Sequence, residues 1–382
     1  DRGNREVQRI KEKETENRVE DGRIGKGCPH TFITFHLCRN SKVKARGPAQ
    51  EGPKRPEPEE SEMCQECRSQ LQSKCNGISS AVITQENTPV GSKVIYDGEK
   101  RKPLQVTPKL FSTFVKEAPF RNHTSETCAV VGNSGILSNS SCGDEINSAQ
   151  FVIRCNLPPL DSSYENDVGN KTNLVTANPS ILVEKCHVWE CVGTYADVSP
   201  GQYPETPVVL ALSQLTTSQP APFFPARFNG LTEQRRPFAE SLVRYGDSLL
   251  LLPAFSYWHN TAVSLRAVYT LQDFDGSARP IFLNPEYLRG LTWFWRARGL
   301  KAMRLSTGLI VASLASELCA NVHLYGFWPF PWHPHGGGPL TNHYYDNRQS
   351  KKKVHNMPDE FVHLLRLHNQ GVVKLHLGKC EP

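Results

Sequence analysis

The chain has 382 residues, 38% of them hydrophobic, enough to bury one large core or two small ones. Its 44 Lys and Arg outweigh 38 Asp and Glu by a net charge of only +6, and no aromatic-interleaved basic stripe accompanies them, which argues against nucleic acid. No apolar run of eighteen or more residues is present, so no membrane-spanning helix is visible.

Residues 1–61 are rich in Glu, Lys and Arg, with almost no apolar periodicity up to Lys26 and with Pro and alternating charge from Gly47 to Glu60. Such composition predicts a stem-like or disordered N-terminal segment. Residues 62–382 form the predicted globular domain. Twelve cysteines are too many to be idle thiols in a reducing compartment. Three glycosylation sequons begin at Asn122, Asn139 and Asn170, and together these features point to the secretory pathway. Cys64 and Cys67 are spaced like half a zinc site, but no second pair follows at suitable spacing, and Cys28 and Cys38 fall in the stem-like segment.

The stretch Cys128 to Asn156 predicts a strand at Ala129–Val131, a Gly-Asn-Ser-Gly turn through Asn133, Ser134 and Gly135, and a second strand at Phe151–Arg154. A strand entering a small-residue turn lets backbone N–H groups approach an anion or a sugar nucleotide closely. An Asn178-Pro179-Ser180 turn follows. From Cys186 to about Asn229 the chain is rich in Pro, Thr, Ser and Val, too long for a structureless loop in a compact domain. That composition favours intron read-through or a gene-model error over a functional insertion, and gives Cys186 and Cys191 no role.

Next come a helix at Pro237–Tyr245, strands at Leu249–Leu252 and Ile281–Leu283, and helices at Glu286–Arg298 and Thr307–Ala320. A strand at Val322–Tyr325 leads to Gly326 and Trp328. The C-terminal helix, Pro358–Gln370, has Pro near its start and Gly371 past its end, and precedes a strand at Val372–Leu377. Strands alternating with helices predict an α/β fold with a mostly parallel sheet, whose ligand sits at the carboxyl ends of the strands.

His355 suits proton abstraction from a hydroxyl, the usual role of a histidine base, or is a surface histidine beside Lys351–Lys353. His343 opens a His-Tyr-Tyr-Asp cluster that either does acid–base chemistry or packs a loop. Ser306, Thr307 and Gly308 offer hydroxyls and N–H groups at a helix start, compatible with both anion binding and ordinary capping. Asn133, Asn156 and Asn178 suit ligand contact or plain turn chemistry. Trp328 suits a pocket wall or the core. Asp273 and Asp275 form an Asp-x-Asp that would bind Mn²⁺ in a metal-dependent glycosyltransferase, yet sit in a polar turn. His333 and His335 offer metal ligands but read as a mobile Gly-rich loop near the site.

The stretch CAVVGNSGILSNSSCGDEINSAQFVIRCN resembles the large sialyl motif of the animal sialyltransferases, glycosyltransferase family 29. The form is that of the α2,8-sialyltransferase branch, mono- or oligosialylating type. Arg304–Gly308 through Cys319 to Phe330 resembles the small motif, His343–Asp346 the third, and His355–Glu360 the very small motif. The resemblance runs from about Cys75 to the C-terminus and implies a single catalytic domain with a Rossmann-like, GT-A-like sialyltransferase fold. It implies inverting transfer of sialic acid from CMP-sialic acid to a terminal sialic acid of a glycoprotein or glycolipid, with α2,8 linkage and no metal cofactor.

By the same resemblance His355 is the general base and His343 contacts the donor phosphate. Ser306, Thr307 and Gly308 receive the sialic acid carboxylate. Asn133, Ser134, Gly135, Asn156 and Asn178 hold CMP, with Gly326 and Trp328 lining its pocket. Disulfides are implied at Cys128–Cys319 and Cys142–Cys380, leaving Cys155 as a buried thiol. The family implies a Golgi lumenal enzyme, with a membrane anchor that this sequence, beginning at Asp1, lacks, and is compatible with a homodimer. A different class, a non-catalytic glycan- or CMP-binding protein, remains the alternative that the 186–229 segment suggests.

Overall fold

The computed structural model describes residues 69–70, 77–121, 125–183, 229–232, 234–336, 338–348 and 355–380. The stem-like segment, Cys28, Cys38, Cys64, Cys67, the Asn122 sequon and all but the last residue of the 186–229 segment lie outside the described residues.

The strands are β1 (Val82–Ile83), β2 (Lys93–Val94), β3 (Leu104–Gln105), β4 (Ser125–Val131), β5 (Phe151–Arg154), β6 (Leu174–Thr176), β7 (Leu249–Leu252), β8 (Arg279–Leu283), β9 (Cys319–Tyr325) and β10 (Lys374–His376). The helices are α1 (Pro108–Phe111), α2 (Gly143–Ser148), α3 (Glu165–Val168), α4 (Pro179–Val183), α5 (Arg235–Leu242), α6 (Trp258–Asp273), α7 (Pro285–Ala297), α8 (Thr307–Leu318) and α9 (Met357–Asn369). Among the described residues, eight strands form one sheet in the order β1-β8-β7-β6-β5-β4-β9-β10. Only β1 runs antiparallel, at an edge; every other pairing in that sheet is parallel. β2 and β3 pair separately.

Alternation along the strands divides the core. Cys128 and Val130 face a cluster with Leu291, Phe294, Leu309 and Phe361 from α7, α8 and α9. Ala129 and Val131 face another with Ile146, Phe238, Leu242 and Val263 from α2, α5 and α6. Both faces of the central strands are therefore covered, which is why they read as continuous apolar runs.

The predicted helices appear with shifted ends. Pro237–Tyr245 is α5 plus a 3₁₀ turn at Val243–Tyr245. α9 carries Pro358 in its first turn, and Gly371 follows it at φ +76°. β9 begins at Cys319, so α8 stops before the predicted Ala320. The strands β1, β2, β3 and β6 and the helices α1, α2, α3, α4 and α6 were not predicted, and most of these are too short for a pattern to be legible. α6 buries Asn260, Ser264 and Thr270 within its apolar face, so its stripe reads as polar. Asn260 Nδ2 donates to the Pro253 carbonyl at 3.3 Å and Thr270 Oγ1 to the Arg266 carbonyl at 2.7 Å, which offsets part of the burial cost. β6 has three residues, below the length at which a pattern is legible.

Candidate active site

Parallel strands place all their carboxyl ends on one edge. β4 pairs with β5 on one side and with β9 on the other, so chain order reverses between β4 and β9, the kind of crevice where open α/β sheets take ligands. Asn133 follows β4, Asn156 follows β5, Asn178 follows β6 and Gly326 follows β9. α8 and α9 lead back into β9 and β10, so their N-termini, with Ser306–Gly308 and His355, return to the same edge.

The β4 and β9 ends approach closely. Gly132 N–H donates to the Tyr325 carbonyl at 2.7 Å and Ser134 N–H to the Gly326 carbonyl at 3.2 Å. A Cβ on Gly132 would lie 2.5 Å from the Gly326 carbonyl oxygen, and Gly326 sits at φ +71°, so neither position admits a side chain without displacement. Gly135 is needed for packing too, because a Cβ there would meet the Thr341 carbonyl oxygen at 2.3 Å. The Ser134 hydroxyl donates to the Trp328 carbonyl at 2.6 Å and holds this turn. Trp328 is 3% exposed, edge-to-face with Phe330 and Phe361, and its indole N–H donates to the Trp332 carbonyl. The indole packs against the core beneath the strand ends.

Asn178 reaches across to α8: its Nδ2 donates to Thr307 Oγ1 at 2.9 Å, and Thr307 Oγ1 lies 3.3 Å from Asn178 Oδ1. Ser306 caps α8 by accepting the Leu309 N–H at 3.1 Å, a contact typically contributing about 1 kcal/mol. The Ser306 N–H donates to Glu360 Oε1 at 2.8 Å, and its hydroxyl donates to Glu360 Oε2. Burial raises the Glu360 carboxyl to about 7 against the lowering effect of those Ser306 bonds. Glu360 thus fixes the Ser-Thr-Gly turn to α9. Asn156 adopts φ +63°, and its N–H donates to Thr176 Oγ1 at 2.8 Å.

His355 is exposed, and its Nδ1–H donates to the Arg304 carbonyl at 3.0 Å. A carbonyl only accepts, so the proton of the neutral ring is on Nδ1 and the Nε2 lone pair is available as a base. His343 donates from Nδ1 to Asp346 Oδ1 at 2.7 Å and stacks on Tyr345 at 5.1 Å and 8°. Burial alone would raise the Asp346 carboxyl, but the His343 bond and the Arg348 N–H outweigh it and hold the group below the usual range. A carboxylate so placed fixes the ring and stabilises its imidazolium. The cluster is tied to the first turn: the Tyr344 N–H donates to the Asn133 carbonyl at 2.9 Å, and the Asn133 Nδ2 to the Cys155 carbonyl at 2.9 Å. Asn133 Oδ1 is buried with no partner among the described residues.

Asp346 and Glu360 are the residues whose roles sequence reasoning left unassigned. The His-x-x-Asp spacing in a turn was the available signal for the first. Nothing local signalled the contact between Glu360 and Ser306, which are 54 positions apart.

The Asp-x-Asp is elsewhere. Asp273 ends α6, before β8 begins, and so lies at the amino-end edge of the sheet, opposite the motif residues. Its carboxylate is paired with Arg235. His333 and His335 stay on an exposed loop, where the His335 N–H donates to His333 Nδ1 at 3.2 Å. The disulfides are Cys128–Cys319 and Cys142–Cys380. Cys155 is a buried free thiol, pushed up by burial to about 12. The sequon residues Asn139 and Asn170 are exposed.

A family model described as glycosyltransferase family 29 (sialyltransferase) matches residues 82–200 and 213–372. Mouse alpha-2,8-sialyltransferase 8F is 41% identical over 314 residues, 82% of this chain and 68% of that protein. Human alpha-2,8-sialyltransferase 8E is 39% identical over 314 residues, 82% of this chain and 72% of its own length. The Xenopus laevis alpha-N-acetylneuraminide alpha-2,8-sialyltransferase is 38% identical over the same share of this chain and 75% of its own. A crystal structure of a mammalian sialyltransferase in complex with Gal-beta-1-3GalNAc-ortho-nitrophenol aligns with TM-score 0.39 and 17% identity, covering 84% of this chain and 87% of that one.

Proposed function

The chain belongs to glycosyltransferase family 29, the sialyltransferases, and from that premise we propose that it moves sialic acid from CMP-sialic acid onto a terminal sialic acid. The product is an α2,8 linkage, extended by one or a few residues. The supporting observation is that residues from all four motifs meet at the β4/β9 edge in a chain 38–41% identical to proteins named alpha-2,8-sialyltransferases.

In the proposed step the acceptor hydroxyl oxygen attacks the anomeric carbon of the donor sugar from the face opposite the phosphate. Its proton passes to His355 Nε2 while the bond to the phosphate oxygen breaks and CMP leaves. Inversion follows from that single displacement. Asn133, Ser134, Gly135, Asn156, Asn178 and Gly326 hold the CMP portion, and Ser306, Thr307 and Gly308 hold the donor carboxylate at the start of α8. His343, as imidazolium oriented by Asp346, meets the charge developing on the phosphate and donates from Nε2. No metal is assigned to the step, since cationic imidazole and helix N–H groups can fill that role. The Golgi lumen is the proposed location, supported by two disulfides and two exposed sequons.

The short product is read from charge. Residues 97–127, preceding and entering β4, hold six basic side chains against four acidic ones, too even a balance to grip a long polyanion.

Labelled donor offered to acceptors with and without terminal sialic acid, with and without excess EDTA, tests this proposal. Transfer is expected only to sialylated ends, in short products, at a rate EDTA does not change. Efficient transfer to galactose ends or long ladders would overturn the acceptor assignment. Loss of activity restored by Mn²⁺, and lost again in Asp273→Ala, would move the chemistry to the Asp-x-Asp.

Asp346→Asn is expected to lower kcat about 10²-fold, a part of the usual acid–base contribution. The amide oxygen still accepts from His343 Nδ1 but carries no charge to stabilise the imidazolium. Unchanged kcat and an unchanged kcat–pH profile would remove His343 from the proton chemistry.

A further inference from the structure

On the α2 face of the sheet three side chains converge, two of them, Glu145 and His323, from within the large and small motif stretches. His323 lies on β9, His376 on β10, and Glu145 on α2. The parallel register sets Lys374 beside His323 and His376 beside Tyr325, so His323 and His376 point to the same face one residue pair apart. His323 Nδ1 is 3.1 Å from His376 Nε2. Glu145 Oε1 is 3.8 Å from the former and 3.6 Å from the latter.

These three edges describe a small triangle of lone-pair donors. A point equidistant from all three atoms lies about 2.0 Å from each, which matches Zn–N and Zn–O bond lengths. Two imidazoles and one carboxylate suit a borderline transition ion rather than Ca²⁺ or Mg²⁺, which take all-oxygen shells. The Tyr325 ring stacks on His376 at 4.1 Å, and its hydroxyl is 3.5 Å from His323 Nδ1, giving the cluster an aromatic wall and a polar neighbour. The Lys374 ammonium, 4.0 Å from Glu145 Oε1, competes for that carboxylate, but its side chain is 59% exposed and free to swing into solvent.

We propose that Glu145, His323 and His376 form a zinc-class metal site with a fourth position open to water. An ion there clamps α2 to β9 and β10. It acts beside the Cys142–Cys380 disulfide, whose cysteines immediately precede α2 and follow β10. α2 begins eight residues after Gly135, and His376 closes β10 beside Tyr325, the last residue of β9, so the clamp sits just behind the strand-end turns. The site is structural, and the reaction proposed above does not depend on it.

The test uses the full chain with disulfides intact, free thiols alkylated, and metal stripped by chelator. Zinc is titrated in by calorimetry, and Co²⁺ is added separately for its visible spectrum. One tight equivalent of zinc and a tetrahedral-type Co²⁺ spectrum are expected, with a thermal midpoint that rises with zinc concentration. Glu145→Gln and His376→Gln should each weaken zinc binding by at least about 10-fold and abolish the midpoint shift, since ligand loss costs no less than loss of an outer-shell partner. CMP affinity of both variants, unchanged from wild type, certifies that they fold. A His333→Gln/His335→Gln variant should bind as wild type does. No stoichiometric binding in the wild type would overturn the site. So would binding that His376→Gln leaves intact, or that the His333/His335 variant abolishes.

Discussion

His355→Asn is expected to lower kcat by about 10²- to 10⁴-fold, the usual contribution of a general base, while CMP affinity stays close to wild type. Asparagine is the informative substitution. Its amide N–H₂ can still donate to the Arg304 carbonyl that His355 Nδ1 contacts at 3.0 Å, so the entry to α9 keeps its tether. What disappears is the Nε2 lone pair. The loss should therefore fall on kcat rather than on donor binding, and the limb of the pH–rate profile that reports base deprotonation should vanish with it. The glutamate of the same motif is not placed to take over. Glu360, five residues on, is 3% exposed, and both its oxygens accept from Ser306. A variant that turned over at close to the wild-type rate would show that His355 is not the base.

Much of this arrangement was legible because the chemistry-bearing residues sit in local signals. A Pro near a helix start, a Gly past a helix end and a Ser before an apolar run announced α9 and α8, and short apolar runs announced the strands β4, β5, β7 and β9. Parallel pairing then did the rest, since once strands alternate with helices every strand-end turn falls on one edge. What escaped was nonlocal or disguised. α6 hides its period because Asn260, Ser264 and Thr270 are buried and read as polar. The Ser306–Glu360 contact joins two helix starts that only the sheet order brings together. The Glu145, His323 and His376 cluster draws on three elements spread over more than two hundred residues, and each residue alone looks like an ordinary surface group. Trp328 reads equally as pocket wall or core because its neighbours Phe330 and Phe361, which pack on it edge-to-face, are set by the fold and not by local sequence.

Removing the Cys128–Cys319 bridge, as the double variant Cys128→Ala/Cys319→Ala, is expected to cost about 5 kcal/mol in the chain-entropy account. The bridge spans 191 residues, and the entropy withheld from the unfolded chain grows with the logarithm of that span. A loss of that size is a large part of the total stability of a domain, roughly 5–15 kcal/mol. Both cysteines are also within the core, at 0% and 1% exposure, so two alanines add a cavity cost. The effect reaches function through geometry. β4 and β9 flank the crevice, and the approach of Gly132 to Gly326 depends on their staying paired along the register from Ser125–Cys319 to Val131–Tyr325. Reduction of the wild type should accordingly shift the denaturant midpoint and abolish turnover together. Among the described residues the free thiol, Cys155, is not the cause, because it is buried and held up at about 12, far from thiolate at neutral pH. Denaturant titrations of oxidised, reduced and double-variant protein, with peptide mapping of the cysteines, decide the matter. An unmoved midpoint would refute the stabilising role. Inactivation that precedes any unfolding would instead implicate a thiol, against the burial of Cys155, and mapping that found Cys319 paired elsewhere would break the link between the two strands on which this expectation stands.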